Sequence, residues 1–124
     1  MKFTPTDPPR PFAVGYHGTV LHDCASVELA PDEQVTFVAG TGSQYDVVRK
    51  SWGYYATPSV NGRLVSFGLR AALVRSRDGK CFVHLVERDS LAEYEAYNAA
   101  EGLSLITWLD DDKTLSALEA FCKG

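Results

Sequence analysis

The residues best suited to chemistry lie in one short segment, residues 49–63, between two apolar stretches. Its aromatic rings offer wide, stiff contact faces with polar tips, and its arginines offer a planar fork for carboxylate or phosphate. This composition predicts a non-enzymatic binding or accessory domain that recognises a small anionic molecule of the nucleotide or nucleotide-sugar type. The candidate ligand-binding residues are Arg49, Lys50, Trp52, Tyr54, Tyr55, Thr57, Ser59, Asn61 and Arg63.

The same segment supports a second interpretation. Trp, Tyr and Arg are also the residues that most often anchor protein interfaces. The rings would then cover a sheet edge or hold two copies of the chain together. A homodimeric interaction module that uses this loop is therefore an alternative function.

A third interpretation is a small enzyme built on histidine and cysteine. His17, His22 and Cys24 are close in sequence, and together with His84 they offer zinc ligands or a nucleophile and a base. Their intervals match no standard zinc spacing, and isolated Cys and His residues are usually core or turn residues. We therefore predict no metal site and no cofactor. No catalytic residue is assigned, and whether the chain is an enzyme stays open at this point.

Two further motifs have ordinary structural explanations. The glycine loop at residues 40–43 follows an apolar segment, as phosphate-binding loops do, but it lacks the lysine of a Walker loop. We predict a simple glycine turn there. The three aspartates at residues 110–112 would point in different directions, so helix capping is predicted rather than Mg²⁺ binding.

Charge is distributed unevenly along the chain, whose net charge is −4. Residues 45–80 carry a net charge of +5, whereas residues 1–44 carry −3 and residues 81–124 carry −6. The basic middle contains the aromatic segment, which favours an anionic ligand. Both flanks would repel a polyanion, so nucleic acid is an unlikely partner.

Length and composition indicate one globular domain. The chain has 124 residues, of which 45 % are hydrophobic and 23 % charged, and these are ordinary globular values. We expect an extended, proline-rich N-terminal arm at residues 1–11 and a single α+β domain at residues 12–124. No signal peptide or bilayer-spanning run is found, which predicts a cytoplasmic protein with no membrane partner. The three separated cysteines, Cys24, Cys81 and Cys122, are expected to be reduced thiols.

Periodicity in the first half predicts an antiparallel, β-rich sheet or partial barrel. Alternating apolar residues favour a strand over residues 12–21, and shorter strands are expected at residues 26–29 and 34–39. Residues 45–50 fit a strand better than a short helix.

The second half predicts a β-hairpin, a strand-helix-strand unit and a C-terminal helix. Asp78-Gly79 is a two-residue turn signal, which would set Val74 opposite Val83 and Leu73 opposite His84. Ser90 and Glu93 form a capping-box pattern at the start of a helix over residues 91–101, and Gly102 is placed to end it. A strand at residues 103–109 and a helix at residues 113–122 should follow.

Overall fold

Three antiparallel sheets and three helices make up the computed structural model, which describes residues 1–124. The strands are β1 (Lys2–Val14), β2 (Thr19–Glu28), β3 (Gln34–Val38), β4 (Gln44–Lys50), β5 (Gly53–Ala56), β6 (Leu69–Arg75), β7 (Cys81–Glu87) and β8 (Ser104–Trp108). The helices are α1 (Arg63–Ser66), α2 (Leu91–Glu101) and α3 (Asp112–Lys123). The predicted α+β class is confirmed, and the sheets are not closed into a barrel. None of the helices has the length and apolar character needed to span a membrane.

The chain forms two compact units. Unit 1 comprises Met1–Val35 and Asp46–Thr57, and unit 2 comprises Thr36–Tyr45 and Pro58–Gly124. Strands β3 and β4 each contribute residues to both units, because the unit boundaries fall within them.

Unit 1 begins with a two-stranded ribbon in which β1 and β2 pair only with each other. Residues 1–11, which the sequence marks as an extended arm, belong almost entirely to β1. The strand predicted over residues 12–21 is wrong, because the chain turns at residues 15–18. Gly15 and Gly18 have φ angles of 77° and 64°, which side-chain-bearing residues rarely adopt, and Gly18 N donates to Gly15 O.

The sheet of unit 2 has the strand order β7-β6-β8. Because β6 is antiparallel to both neighbours, β7 and β8 run parallel to each other and are joined through α2. The predicted strand-helix-strand unit is therefore confirmed.

Each face of this sheet supports its own apolar cluster. On one face, Leu64 from α1 packs with Leu69 and Ala71 of β6. On the other, Ala72, Val74 and Val86 pack with the partly buried residues Leu91, Tyr94 and Trp108. Burying a side chain as completely as those of Leu64 and Val74 contributes about 1.5–3 kcal/mol each. The centre of unit 2 is thus β6, enclosed on both faces.

The β6–β7 hairpin exists, but its predicted register is wrong by one residue. Ser76 N donates to Lys80 O and Gly79 N donates to Ser76 O, so the loop has three residues, Arg77–Gly79, instead of two. Gly79 takes the left-handed position that such a loop requires, with φ 86°. Val74 consequently pairs with Phe82 and Leu73 with Val83.

The register change moves one histidine to the other face of the sheet. His84 pairs with Ala72 rather than with Leu73. Cross-strand partners share a face, so His84 lies on the face that α2 covers. In the same register Arg75 pairs with Cys81.

Helix α2 has the predicted bounds, and Gly102 ends it in a left-handed conformation. The predicted capping box is wrong. A 3₁₀ turn at Arg88–Ser90 leads into the helix and gives Ser90 a ψ of 22°, so its hydroxyl makes no cap hydrogen bond. Helix α3 is capped as predicted, because the Asp111 carboxylate accepts from Lys113 N.

Candidate functional site

The aromatic segment forms a tight hairpin in unit 1. Strand β4 pairs with β5, with Arg49 opposite Tyr54 and Lys50 opposite Gly53, so the turn is Ser51-Trp52. Gly53 has φ 149°, outside the range that residues with a side chain normally use. The predicted strand at residues 45–50 is confirmed as part of β4.

The hairpin presents its aromatic residues to solvent on two opposite faces. Trp52, Tyr54 and Tyr55 are 68 %, 64 % and 46 % exposed. Successive residues in a strand point to opposite faces, so Tyr54 and Tyr55 are separated by the hairpin backbone. The three rings therefore do not converge on a single pocket.

One face carries a pair of nearly parallel rings. The centroids of Trp52 and Tyr55 are 6.1 Å apart, with 20° between the ring planes. Val48 pairs with Tyr55 and lies two residues from Lys50, so Lys50 shares this face. We call Lys50, Trp52 and Tyr55 the aromatic face.

The opposite face holds an arginine over a tyrosine. The Arg49 guanidinium lies 5.1 Å from the centroid of the Tyr54 ring, and its Nη1 donates to Gly53 O at 3.0 Å and to Lys50 O. No carboxylate pairs with Arg49. Its guanidinium therefore fixes the turn while its charge stays uncompensated.

The lysine of the aromatic face has an acidic neighbour. Lys50 Nζ donates to the Asp32 carboxylate, and this hydrogen bond, with the attraction between the two charges, raises the pKa of Lys50. Asp32 is held in place by backbone, since its N–H donates to Arg49 O at 2.7 Å. Both side chains remain accessible to solvent. The aromatic face thus carries a reliably charged ammonium group beside its rings.

The other predicted site residues have local partners. Thr57 in unit 1 donates from Oγ1 to Gln34 Oε1 at 3.4 Å. Ser59, Asn61 and Arg63 belong to unit 2, where they lie at the start of α1.

Hydrogen bonds and ring contacts organise these three residues within unit 2. Ser59 Oγ accepts from Arg63 N at 3.1 Å, and Asn61 Nδ2 donates to Asp112 Oδ1 at 2.9 Å. The Arg63 guanidinium lies 5.3 Å from the Phe67 ring centroid. Each of these contacts orders the polypeptide around α1.

The histidine and cysteine residues form no metal-binding group of three or more ligands. His17, His22 and Cys24 lie in unit 1 and His84 in unit 2. The Cys24 thiol donates to the carbonyl of His22 at 3.4 Å and does not bond an imidazole.

His84 lies in a groove that the sequence analysis missed. Its Nδ1 is 2.7 Å from the Tyr94 hydroxyl, and the ring of Tyr97 stands edge-on at 6.4 Å. The groove has a volume of about 720 Å³ and also exposes Glu93. Partial burial lowers the pKa of His84, which favours the neutral imidazole. Only the correct hairpin register, which places His84 under α2, could have revealed this arrangement.

The glycine loop contacts a carboxylate of its own chain. Thr41 Oγ1 and Ser43 Oγ donate to Glu87 Oε1 at 2.7 and 3.0 Å. Gly42 N donates to Ala39 O, which closes a turn. The loop hydroxyls therefore already bind an anion supplied by β7.

A comparison of the chain with protein-family models, with curated proteins and with solved structures found no match. Any function must be inferred from the residues and their arrangement.

Proposed function

We propose that the chain is a non-enzymatic binding module that recognises a small anionic ligand of the nucleotide or nucleotide-sugar type on its aromatic face. The observation that carries this proposal is the exposed, nearly parallel pair of Trp52 and Tyr55 beside the Lys50 ammonium group. Two wide rings on a rigid hairpin suit a planar base or a sugar ring, and the ammonium suits a phosphate.

The rings supply most of the proposed affinity. Stacking one base on an aromatic side chain contributes about 1–3 kcal/mol, which corresponds to roughly 5- to 150-fold in affinity. The β4–β5 ladder fixes the backbone at Tyr55, and the Tyr55 ring already stacks on that of Trp52, so a ligand meets a partly ordered surface. The Trp52 side chain is not part of the core, since 68 % of the residue is exposed, so its ring is accessible to a ligand.

The charge of the ligand is met by Lys50. A phosphate would compete with Asp32 for the ammonium group, which keeps its proton because its pKa is raised. Both partners of the ion pair are accessible, and exposed pairs of this kind contribute little to stability, so exchanging Asp32 for a phosphate costs little. The proposed ligand therefore carries one phosphate or pyrophosphate group rather than a long polyanion.

Calorimetric titration tests the proposal with two matched variants. Tyr55→Ala and Tyr54→Ala remove the same side chain from adjacent positions on opposite faces of the hairpin. The probes are adenosine monophosphate, uridine monophosphate, UDP-glucose and glucose 6-phosphate, chosen after a thermal-shift screen of the wild type. Tyr55→Ala should weaken binding about 5- to 150-fold, and Tyr54→Ala should change it less than threefold. Equal losses in both variants, or no binding of any probe, would contradict the proposal.

Lys50→Gln tests the role of charge separately. It should weaken a nucleoside monophosphate and leave the uncharged nucleoside unaffected, because only the phosphate contacts the ammonium. If the ring variants alter the oligomeric state instead of ligand binding, the hairpin is a dimer contact, as the alternative interpretation of the sequence requires.

The proposed setting is the cytoplasm. Cys24, Cys81 and Cys122 are exposed and form no disulfide, which suits a reducing compartment.

A further inference from the structure

The β1–β2 ribbon has one apolar face whose large side chains are exposed. In the antiparallel register Phe3 lies opposite Val27, Phe12 opposite Leu21 and Val14 opposite Thr19. Residues two apart on β2 share a face, so these pairs all lie on one side of the ribbon. The five large apolar side chains of this ribbon face are 37–58 % exposed, and they are Phe3, Phe12, Val14, Leu21 and Val27.

The opposite side of the ribbon is more polar. It carries Lys2, Thr4, His22, Ser26 and Glu28, and its one exposed large apolar side chain is Val20. A two-stranded hairpin is only marginally stable by itself in water and normally packs one face against another element. The amphipathic pattern therefore indicates a missing layer over the ribbon face.

A single ion pair interrupts the ribbon face. Arg10 pairs with Asp23 across the strands, with Nη2 3.5 Å from Oδ2, and the Arg10 guanidinium also lies 5.2 Å from the Phe12 ring centroid. The pair has a cation on β1 and an anion on β2. Any partner that covers this face must meet both charges.

A second copy of the chain meets both charges in one orientation. A two-fold axis along the ribbon places β1 of one copy over β2 of the other. Arg10 then faces the partner's Asp23, and Asp23 faces the partner's Arg10. The same operation sets Phe12 against the partner's Leu21 and Phe3 against the partner's Val27. An axis across the strands at the level of this ion pair would instead place Arg10 over the partner's Arg10, which like-charge repulsion disfavours. Reciprocal charge pairing therefore favours the two-fold axis along the ribbon.

Prolines in β1 disfavour edge-to-edge association, in which a further strand adds to the edge of a ribbon. Pro5, Pro8, Pro9 and Pro11 lie in β1 and have no N–H to donate to an added strand. Edge-to-edge association along β1 is thereby disfavoured, whereas face-to-face association needs no backbone N–H.

We infer that the protein forms a homodimer in which two β1–β2 ribbons pack face to face about a two-fold axis along the ribbon, around reciprocal Arg10 and Asp23 pairs. The five apolar side chains are only 37–58 % exposed and offer well below the roughly 800 Å² per partner that a stable interface buries, so we expect a weak dimer whose population rises with concentration. This surface shares no residue with the aromatic face, and the two proposals fail independently.

Sedimentation velocity of the full chain from about 1 µM to about 500 µM tests the inference. The mass should rise from 13.6 kDa toward twice that value with concentration. Leu21→Glu, on the apolar side, should weaken dimerisation at least tenfold. Val20→Glu is the matched control, because Val20 is adjacent on the other side of β2 and is 54 % exposed, compared with 44 % for Leu21. A wild type that stays monomeric, or equal effects of the two variants, would overturn the inference.

Charge reversal provides a second test that does not depend on one variant. Arg10→Glu and Asp23→Arg should each give monomers, because like charges would meet across the axis. An equimolar mixture of the two should form a heterodimer, in which two acidic groups meet two basic groups. Circular dichroism should show both variants folded, since the exposed pair contributes little to stability within one chain. Dimers of either variant alone, or a mixture that does not associate, would refute the arrangement.

Discussion

Asp110 holds Arg70 in place, and replacing it should produce the largest stability loss among the three consecutive aspartates. Arg70 Nε donates to Asp110 Oδ2 at 2.7 Å and Arg70 Nη2 donates to Asp110 Oδ1 at 3.1 Å. The guanidinium also lies 4.0 Å from the Trp108 ring centroid. The two side chains are only 27 % and 13 % exposed, so water replaces the lost bonds poorly.

The expected magnitude follows from these contacts. A hydrogen bond to a charged group contributes about 1.5–3 kcal/mol, and Asp110→Asn removes the charge and one of the two acceptors. Arg70 keeps its contact with Trp108, so the guanidinium is not left entirely without a partner. We expect a loss of about 2 kcal/mol, which lowers the urea midpoint by about 1 M if the slope is near 2 kcal/mol per M.

The neighbouring aspartates are the controls. Asp111→Asn should cost only a few tenths of a kcal/mol, because asparagine caps a helix about as well as aspartate. Asp112→Asn should also be nearly neutral, since its carboxylate is exposed and accepts one bond from Asn61.

Urea unfolding of each variant, followed by fluorescence of Trp108 in a Trp52→Phe background, measures these differences. The Arg70 pair lowers the pKa of Asp110, so its stabilisation is present above about pH 4 and is lost as the pH falls through the folded pKa. The difference in free energy of unfolding between wild type and Asp110→Asn should therefore become smaller in acid. Equal losses in all three variants, or a gap that does not depend on pH, would refute this reasoning.

Three further predictions concern other parts of the chain. Burial lowers the pKa of His84, so near pH 6 the unfolded chain binds more protons than the folded chain. The free energy of unfolding should therefore fall as the pH drops below about 6.5, and it should stop falling below the folded pKa. Urea midpoints of wild type and His84→Gln, measured across this pH range, check this. Gly79→Ala should lower the free energy of unfolding by about 1 kcal/mol, because Gly79 has a positive φ, although no atom crowds the site. Gly40→Ala is the control and should cost less in the same assay, because Gly40 has no positive φ. Trp52→Ala should leave the circular dichroism spectrum and the melting temperature nearly unchanged, because its ring is mostly exposed.

The elements with strong local signals could be predicted from the sequence. Helix α2 and its end at Gly102 follow from apolar spacing and a residue suited to a left-handed cap. The hairpin register could not be read from Asp78-Gly79, because both two- and three-residue loops accept that pair. One residue of difference moved His84 onto the face beneath α2 and created the groove beside Tyr94.

The candidate site was predictable in composition but not in geometry. The sequence singled out Trp52, Tyr54 and Tyr55 as candidate ligand-binding residues, yet the faces on which they lie depend on where β4 ends and the turn begins. Arg70 and Asp110 were not linked because they are distant in sequence, and the aspartate lay in a run that looked suited only to capping. Long-range pairing of this kind leaves no local pattern.

The most direct test of the proposed function follows the indole N–H resonances of Trp52 and Trp108, the only two tryptophans, during titration with a nucleoside monophosphate. We expect the Trp52 resonance to move and saturate while the Trp108 resonance stays fixed. A Trp52 resonance that does not move, or a shift confined to Trp108, would contradict binding at the aromatic face.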